Sequence, residues 1–233
     1  MSRRKPVLEA IGLSRTFTRG KAEIITAVNN VDFQLNESEL VILMGPSGSG
    51  KSTLLNLLGG LDAPTDGSII YRNPEDDSEV DIVKLDENKL TDYRRNRVGF
   101  VFQNWMLIDN LTAVENVEVP LYPSGISSRI IRSKAIALLR QMGLDDREDH
   151  FPKELSGGEQ QRVALARAII TNPTFVFADE PTGNLDQDTG ERIMRLLKRV
   201  CRSGTSIVVA THDIGLRRYA DRFVKILDGQ FQH

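Results

Sequence analysis

Gly45-Pro46-Ser47-Gly48-Ser49-Gly50-Lys51-Ser52 fills the pattern G-x-x-x-x-G-K-[ST] at every position, and its reading decides what the flanking chain must build. A glycine-rich turn with a chance lysine is the alternative, so the context has to discriminate. Val41-Ile42-Leu43-Met44 before it is a continuous apolar run of the kind a buried parallel strand shows. Thr53-Leu54-Leu55-Asn56-Leu57-Leu58 after it keeps helical spacing until Gly59-Gly60 stop it. Strand, loop and helix in that order make a nucleotide site. Glycines let backbone N–H groups turn inward around phosphate oxygens, and the positive helix end favours the anion. On this reading Gly45 to Ser52 and Thr53 surround the phosphates, Lys51 reaches the β- and γ-phosphates, and the Ser52 hydroxyl ligates Mg²⁺.

At 233 residues the chain has room for one large α/β domain, or one domain with a subdomain. Its formal net charge of -2 gives no strongly basic surface that would make nucleic acid the main partner. The single cysteine, Cys201, cannot form an internal disulfide, which fits a reducing compartment. Arg3, Arg4 and Lys5 are followed by no apolar run, and nothing approaches the ~20 apolar residues of a membrane span. The expectation is a chain soluble by itself, with membrane association only through a partner.

Val7 to Phe17 and Ile24 to Leu35 alternate like half-exposed antiparallel strands, and Ser68-Ile69-Ile70-Tyr71 continues the pattern. Asn73 to Asn88 crowds acidic residues and reads as a solvated loop or hairpin that leads through the basic Tyr93–Arg97. Four near-continuous apolar runs, Val41–Met44, Gly99–Phe102, Phe175–Ala178 and Ile207–Ala210, read as parallel strands. Each ends at a residue of catalytic type: Gly45, Gln103, Asp179-Glu180 and His212. Ligands of open parallel sheets bind beyond the carboxyl ends of the strands, so these residues point to one crevice. Between Gln103 and Leu155 the strand pattern disappears. Ser127 to Met142 is helically spaced, and Ser156-Gly157-Gly158-Glu159 is a capping box opening another helix.

Leu155-Ser156-Gly157-Gly158-Glu159-Gln160-Gln161-Arg162 resembles the signature motif of the ATP-binding-cassette ATPases. Phe175–Pro181 resembles their Walker B strand, Gly183-Asn184-Leu185-Asp186 their D-loop, Gln103 their Q-loop and His212 their switch histidine. Val101-Phe102-Gln103 with Ala178–Asp186 is similar to the branch containing MacB, LolD and FtsE, the ATPases of efflux, lipoprotein release and cell-wall remodelling. The resemblance implies an α/β P-loop NTPase fold: a core with a parallel sheet, an N-terminal antiparallel β subdomain and an inserted α-helical subdomain. The core would take residues 1–103 and 160–233, and the helical insertion with the signature about 104–159.

It also implies roles. Asp179, Ser52 and Gln103 would hold Mg²⁺, Glu180 would polarise the attacking water, His212 would contact the γ-phosphate, and Phe17 would stack on adenine. Against these stand a structural capping Asp179, a surface ion pair at Glu180, a structural His212 and a core Phe17. ATP and Mg²⁺ are the implied cofactors. The implied partners are a second copy, whose Ser156-Gly157-Gly158 closes over the first copy's ATP, and an integral-membrane permease that keeps the chain on the inner face of the cell membrane. Trp105, Met106, Leu107 and Ile108, directly after Gln103, are the expected docking cluster, with core packing as the alternative. A soluble cassette ATPase acting on nucleic acid or ribosomes is the competing reading. Its usual marks, two cassettes, long coiled coils or zinc-binding cysteine pairs, are not seen here.

Overall fold

The computed structural model describes residues 6–20, 23–74 and 76–232. The basic triplet Arg3, Arg4 and Lys5, and Glu75 of the acidic stretch, lie outside them. The chain runs β1 (Pro6–Arg19), β2 (Glu23–Asn36), β3 (Leu40–Met44), α1 (Lys51–Leu58), β4 (Asp66–Arg72), β5 (Glu79–Asp81), α2 (Glu87–Arg97) and β6 (Val98–Val101). It continues through α3 (Ala113–Glu118), α4 (Ser128–Gln141), α5 (Gly157–Ile169), β7 (Phe175–Asp179), α6 (Gln187–Arg202), β8 (Ser206–Thr211), β9 (Arg222–Leu227) and β10 (Gln230–Gln232).

Two sheets form. Strands β2-β1-β4-β5 make an antiparallel sheet, and β10-β9-β3-β8-β7-β6 a second sheet that is parallel except at its β10 edge. The four apolar runs of the sequence are therefore consecutive neighbours, β3, β8, β7 and β6. Their side chains alternate between two cores. Leu40, Ile42, Val176, Ala178, Ile207 and Val209 face one with the inserted helices and α6. Val41, Leu43, Phe175, Phe177, Val208 and Ala210 face the other with α1 and the antiparallel sheet. Burial on both faces is why these strands lack polar alternation. Truncating a fully buried ring such as Phe177 at this junction would cost about 3–5 kcal/mol.

The acidic stretch differs from its expectation. Its Glu79–Asp81 part does pair with β4, giving the hairpin. Ile82–Lys84 then makes a short 3-10 turn with Ile82 buried, and α2 follows, so Tyr93–Arg97 is the end of a helix. The Asp86 side chain caps α2 by accepting from the Lys89 N–H at 2.9 Å. Only Leu90 and Tyr93 are apolar along this helix, too few to show a period. Its anchorage is partly polar: the Arg94 guanidinium donates to the Gly60 carbonyl at 3.1 Å, and buried Tyr93 donates to the Leu58 carbonyl at 3.4 Å.

Candidate active site

Strand β3 delivers the loop Gly45–Gly50 to the amino end of α1, where Gly50 is the N-cap in a left-handed conformation, φ 100°. A side chain there would be strained, and its Cβ would stand 2.1 Å from the Ala27 carbonyl oxygen of β2. The glycine thus lets the loop lie against the antiparallel sheet. Lys51, only 6% exposed, donates from Nζ to the carbonyls of Gly45 at 2.7 Å and Pro46 at 2.9 Å. Its ammonium is held over the loop, 3.9 Å from Glu180 Oε1.

A cleft of about 620 Å³ opens here, lined by Pro46 to Gly48, Gly50 to Thr53, Gln103, Asp179, Glu180, His212 and Ala27. The ends of β3, β6, β7 and β8 therefore converge as the strand-end pattern predicts. Ser49 is buried behind the loop and its Oγ has no hydrogen-bond partner. Asp179 Oδ1 is likewise buried without one. Burial pushes the Asp179 carboxyl up; the Ser52 hydroxyl opposes this, the Glu180 charge adds to it, and Lys51 opposes it. An orphaned carboxylate oxygen beside a serine hydroxyl fits a hard divalent cation that takes its remaining ligands from phosphate and water. Among the described residues no three His, Cys, Asp or Glu side chains gather to hold a metal by themselves, so such a cation would depend on the nucleotide.

Glu180 adopts φ 45°, a conformation rare for a side chain without special demand on its position. Its N–H donates to the Ala210 carbonyl at 2.9 Å, tying the turn to β8. The carboxylate is held on both oxygens: His212 Nδ1 lies 2.9 Å from Oε1, and Thr211 Oγ1 donates to Oε2 at 3.3 Å. Thr211 was not apparent in the sequence. Its signal is a fully buried hydroxyl at the last position of an apolar strand, directly before His212.

Gln103 lines the cleft, but its amide donates to Asn184 Oδ1 at 3.3 Å, while Asn184 Nδ2 donates to the Gln103 carbonyl at 3.3 Å and to Asn104 Oδ1 at 3.1 Å. Asn184 is a second residue the sequence left without a role. Phe17 is 39% exposed and does not line this cleft; the Arg15 guanidinium lies 4.6 Å over its ring. Ala27 of the adjacent strand does line it. Of the expected docking cluster, Met106 is 60% and Ile108 40% exposed, whereas Leu107 packs against a core and the Trp105 ring lies against Gly157. The aromatic member is used within the chain.

Ser156, Gly157 and Gly158 lie apart from the Lys51 cleft, at the amino end of α5. Ser156 is the N-cap, and its hydroxyl and N–H both donate to Glu159 Oε2, at 2.7 and 2.8 Å. Arg147 Nε donates to the other Glu159 oxygen at 2.9 Å. Partial burial alone would raise the Glu159 carboxyl, but the Ser156 and Arg147 bonds outweigh it and hold it at about 2, below its ordinary 4.5. A folded-state pKa below the unfolded one contributes stability above the unfolded value, lost as pH falls through the folded value. Glu159→Gln should therefore melt roughly 3 °C lower at neutral pH. The gap to the parent should hold down to about pH 4.5 and close towards pH 2 in thermal melts followed by circular dichroism. A gap that persists unchanged at pH 2 would show that the charge is not what stabilises the cap.

Loop, strand-end carboxylates and parallel sheet define a P-loop nucleoside triphosphatase. The profile described as ABC transporter matches residues 28–183. An ABC transporter ATP-binding protein of Methanocaldococcus jannaschii, MJ0796, is 45% identical over 225 residues, covering 94% of this chain and 93% of the relative. The lipoprotein-releasing system ATP-binding protein LolD of Hyphomonas neptunium is 44% identical, covering 97% and 96%. The macrolide export ATP-binding/permease protein MacB of a Shewanella species is 42% identical, but this chain spans only 33% of its length. The solved dimeric MJ0796 cassette superposes with a TM-score of 0.88 at 43% identity, covering 97% of both chains; a dimeric post-hydrolysis state of that cassette, bound to ADP and Pi, gives 0.87 at 42%, again covering 97% of both. The chain belongs to the ABC transporter ATP-binding family, in the neighbourhood of LolD and MacB, and is an ABC-type ATPase.

Proposed function

We propose that this chain binds MgATP in the Lys51 cleft and hydrolyses it to power a separate integral-membrane permease. The observation that carries the reading is the convergence of Lys51, Asp179, Glu180 and His212 on one cleft at the carboxyl ends of neighbouring parallel strands. Lys51 exchanges its two loop carbonyls for β- and γ-phosphate oxygens. Glu180, fixed by Thr211 and His212, takes the proton of a water that attacks the γ-phosphorus as the bond to the bridging oxygen breaks, leaving ADP and phosphate. His212, which lies 2.9 Å from that carboxylate, would contact the γ-phosphate. Asp179 and Ser52, with Gln103, would hold Mg²⁺, which when bound would neutralise phosphate charge. Phe17, an exposed ring outside that cleft, is the adenine platform in this reading.

The active unit we infer is a homodimer with two ATP molecules at its seam. One chain carries two helix ends suited to phosphate, at Lys51 and at Ser156–Gly158, but only the first belongs to a triphosphate cradle. The dimeric state of the similar MJ0796 cassette supports a dimer. In the inferred homodimer Ser156, Gly157 and Gly158 would cap the partner's nucleotide, with Asp186 nearby. Within the chain Asp186 already caps α6 through the Thr189 N–H at 3.0 Å.

The permease would dock on the helical insertion, about residues 104–159, holding the chain at the inner face of the membrane. No helix among the described residues is long and apolar enough to cross one. Exposed Met106 and Ile108, directly after the glutamine that lines the nucleotide cleft, support this face, and the relative MacB, an ATP-binding/permease protein, supports a permease as the partner. Met106→Glu should leave ATP turnover of the isolated chain within about twofold and weaken permease association at least about tenfold, the scale of one interface hot spot. Co-purification from detergent-solubilised membranes reads this out. Full retention of the permease would place the docking surface elsewhere, and absence of any membrane partner with the parent protein would count against the reading itself.

A further inference from the structure

Arg167 has no place in the site described above. It sits in the last turn of α5, the helix whose first turn carries Gly157 and Gly158, about 15 Å away along the axis. Among the described residues no carboxylate pairs with it. Its guanidinium instead donates to two consecutive backbone carbonyls, Trp105 at 2.8 Å and Met106 at 2.6 Å. Those two residues are both left-handed, φ 54° and 47°, a pair of conformations that bulky side chains avoid unless something holds them. Burial pushes the Arg167 pKa down, so keeping the charge in place there costs free energy.

The held segment touches both functional ends of the chain. On its amino side Gln103 and Asn104 are tied to Asn184. In its middle the Trp105 ring lies against Gly157, where an added Cβ would stand 3.1 Å from ring Cζ2. On its carboxyl side buried Asn116 accepts from the Ile108 N–H at 2.8 Å and donates to the Ile108 carbonyl at 3.1 Å. We propose that Arg167 is a positioning residue that clamps the Trp105–Met106 backbone onto α5, so that Gln103 in the nucleotide cleft and Gly157 at the signature end of the same chain move as one body.

The consequence follows from stiffness. A glutamine approaching or leaving its own nucleotide would carry Trp105, and through it the start of α5, rather than being absorbed by a loose loop. This rests on the reading that the signature end serves the partner's nucleotide; the clamp itself lies within one chain. Lysine keeps the charge but lacks the planar fork whose two separate nitrogens reach the Trp105 and Met106 carbonyls. Trp105 is the only tryptophan of the chain, so its emission reports the junction directly.

The test compares the parent with Arg167→Lys and Arg167→Gln by thermal melting, MgATP titration, steady-state hydrolysis and tryptophan emission. Expected for Arg167→Lys are an unchanged fold, ATP affinity and KM within about threefold, a kcat lower by about tenfold, and Trp105 emission shifted to the red. Arg167→Gln, which loses the charge as well, should show the same split more strongly, and serves if the lysine variant folds poorly. Unchanged kcat with shifted emission would overturn the proposal, because the clamp would be open without effect. A parallel fall in melting temperature, affinity and kcat would overturn it too, by showing an ordinary packing role. Failure of the shared-site reading is separate: it would leave a Glu180→Gln protein monomeric with ATP, while the Arg167 effects on emission and kcat stayed as expected.

Discussion

Glu180→Gln should bind MgATP as the parent does and hydrolyse it on the order of a hundredfold more slowly or worse, the scale of a lost general base. The substitution keeps the shape of the side chain, and Thr211 Oγ1 can still donate to the remaining amide oxygen. What disappears is the carboxylate that His212 holds at 2.9 Å and that, in the proposed mechanism, would take the proton of the attacking water. The strained backbone at φ 45° is unaffected, so melting should change little. Turnover within about threefold of the parent, measured by phosphate release, would remove Glu180 from the role of base.

Lys51→Ala should weaken MgATP binding about a hundredfold, corresponding to roughly 3 kcal/mol from lost charge-assisted hydrogen bonds in a nearly buried position. Lys51 is already desolvated and already satisfied by the Gly45 and Pro46 carbonyls, so exchanging these for phosphate oxygens needs little rearrangement. Equilibrium titration with a fluorescent ATP analogue reads the change. Affinity within about threefold of the parent would mean that the loop backbone alone binds the phosphates.

The site was legible in the sequence to the extent that it is built from strand ends. Gly45, Gln103, Asp179, Glu180 and His212 each follow an apolar run, and the sheet brings those runs side by side. The capping box at Ser156 was legible for a similar reason, since its two partners are three residues apart and local. Contacts that depend on distant chain segments were not. Asn184 meets Gln103 across 81 residues and Arg167 meets Met106 across 61, and no periodicity records such pairs. Helix α2 was missed because Leu90 and Tyr93 are its only apolar side chains. Trp105 looked like a surface anchor from its neighbours, yet its left-handed backbone turns the ring onto Gly157.

We infer that two chains share two ATP molecules, each held by one chain's Lys51 cleft and closed by the other's Ser156–Gly158. Sedimentation velocity of Glu180→Gln at about micromolar concentration, with bound nucleotide quantified in the sedimenting species, tests it most directly. The expected result is a dimer with MgATP that carries one ATP per chain, and a monomer with ADP or without nucleotide. A monomer that carries ATP in its cleft, with no ATP-dependent dimer, would contradict it.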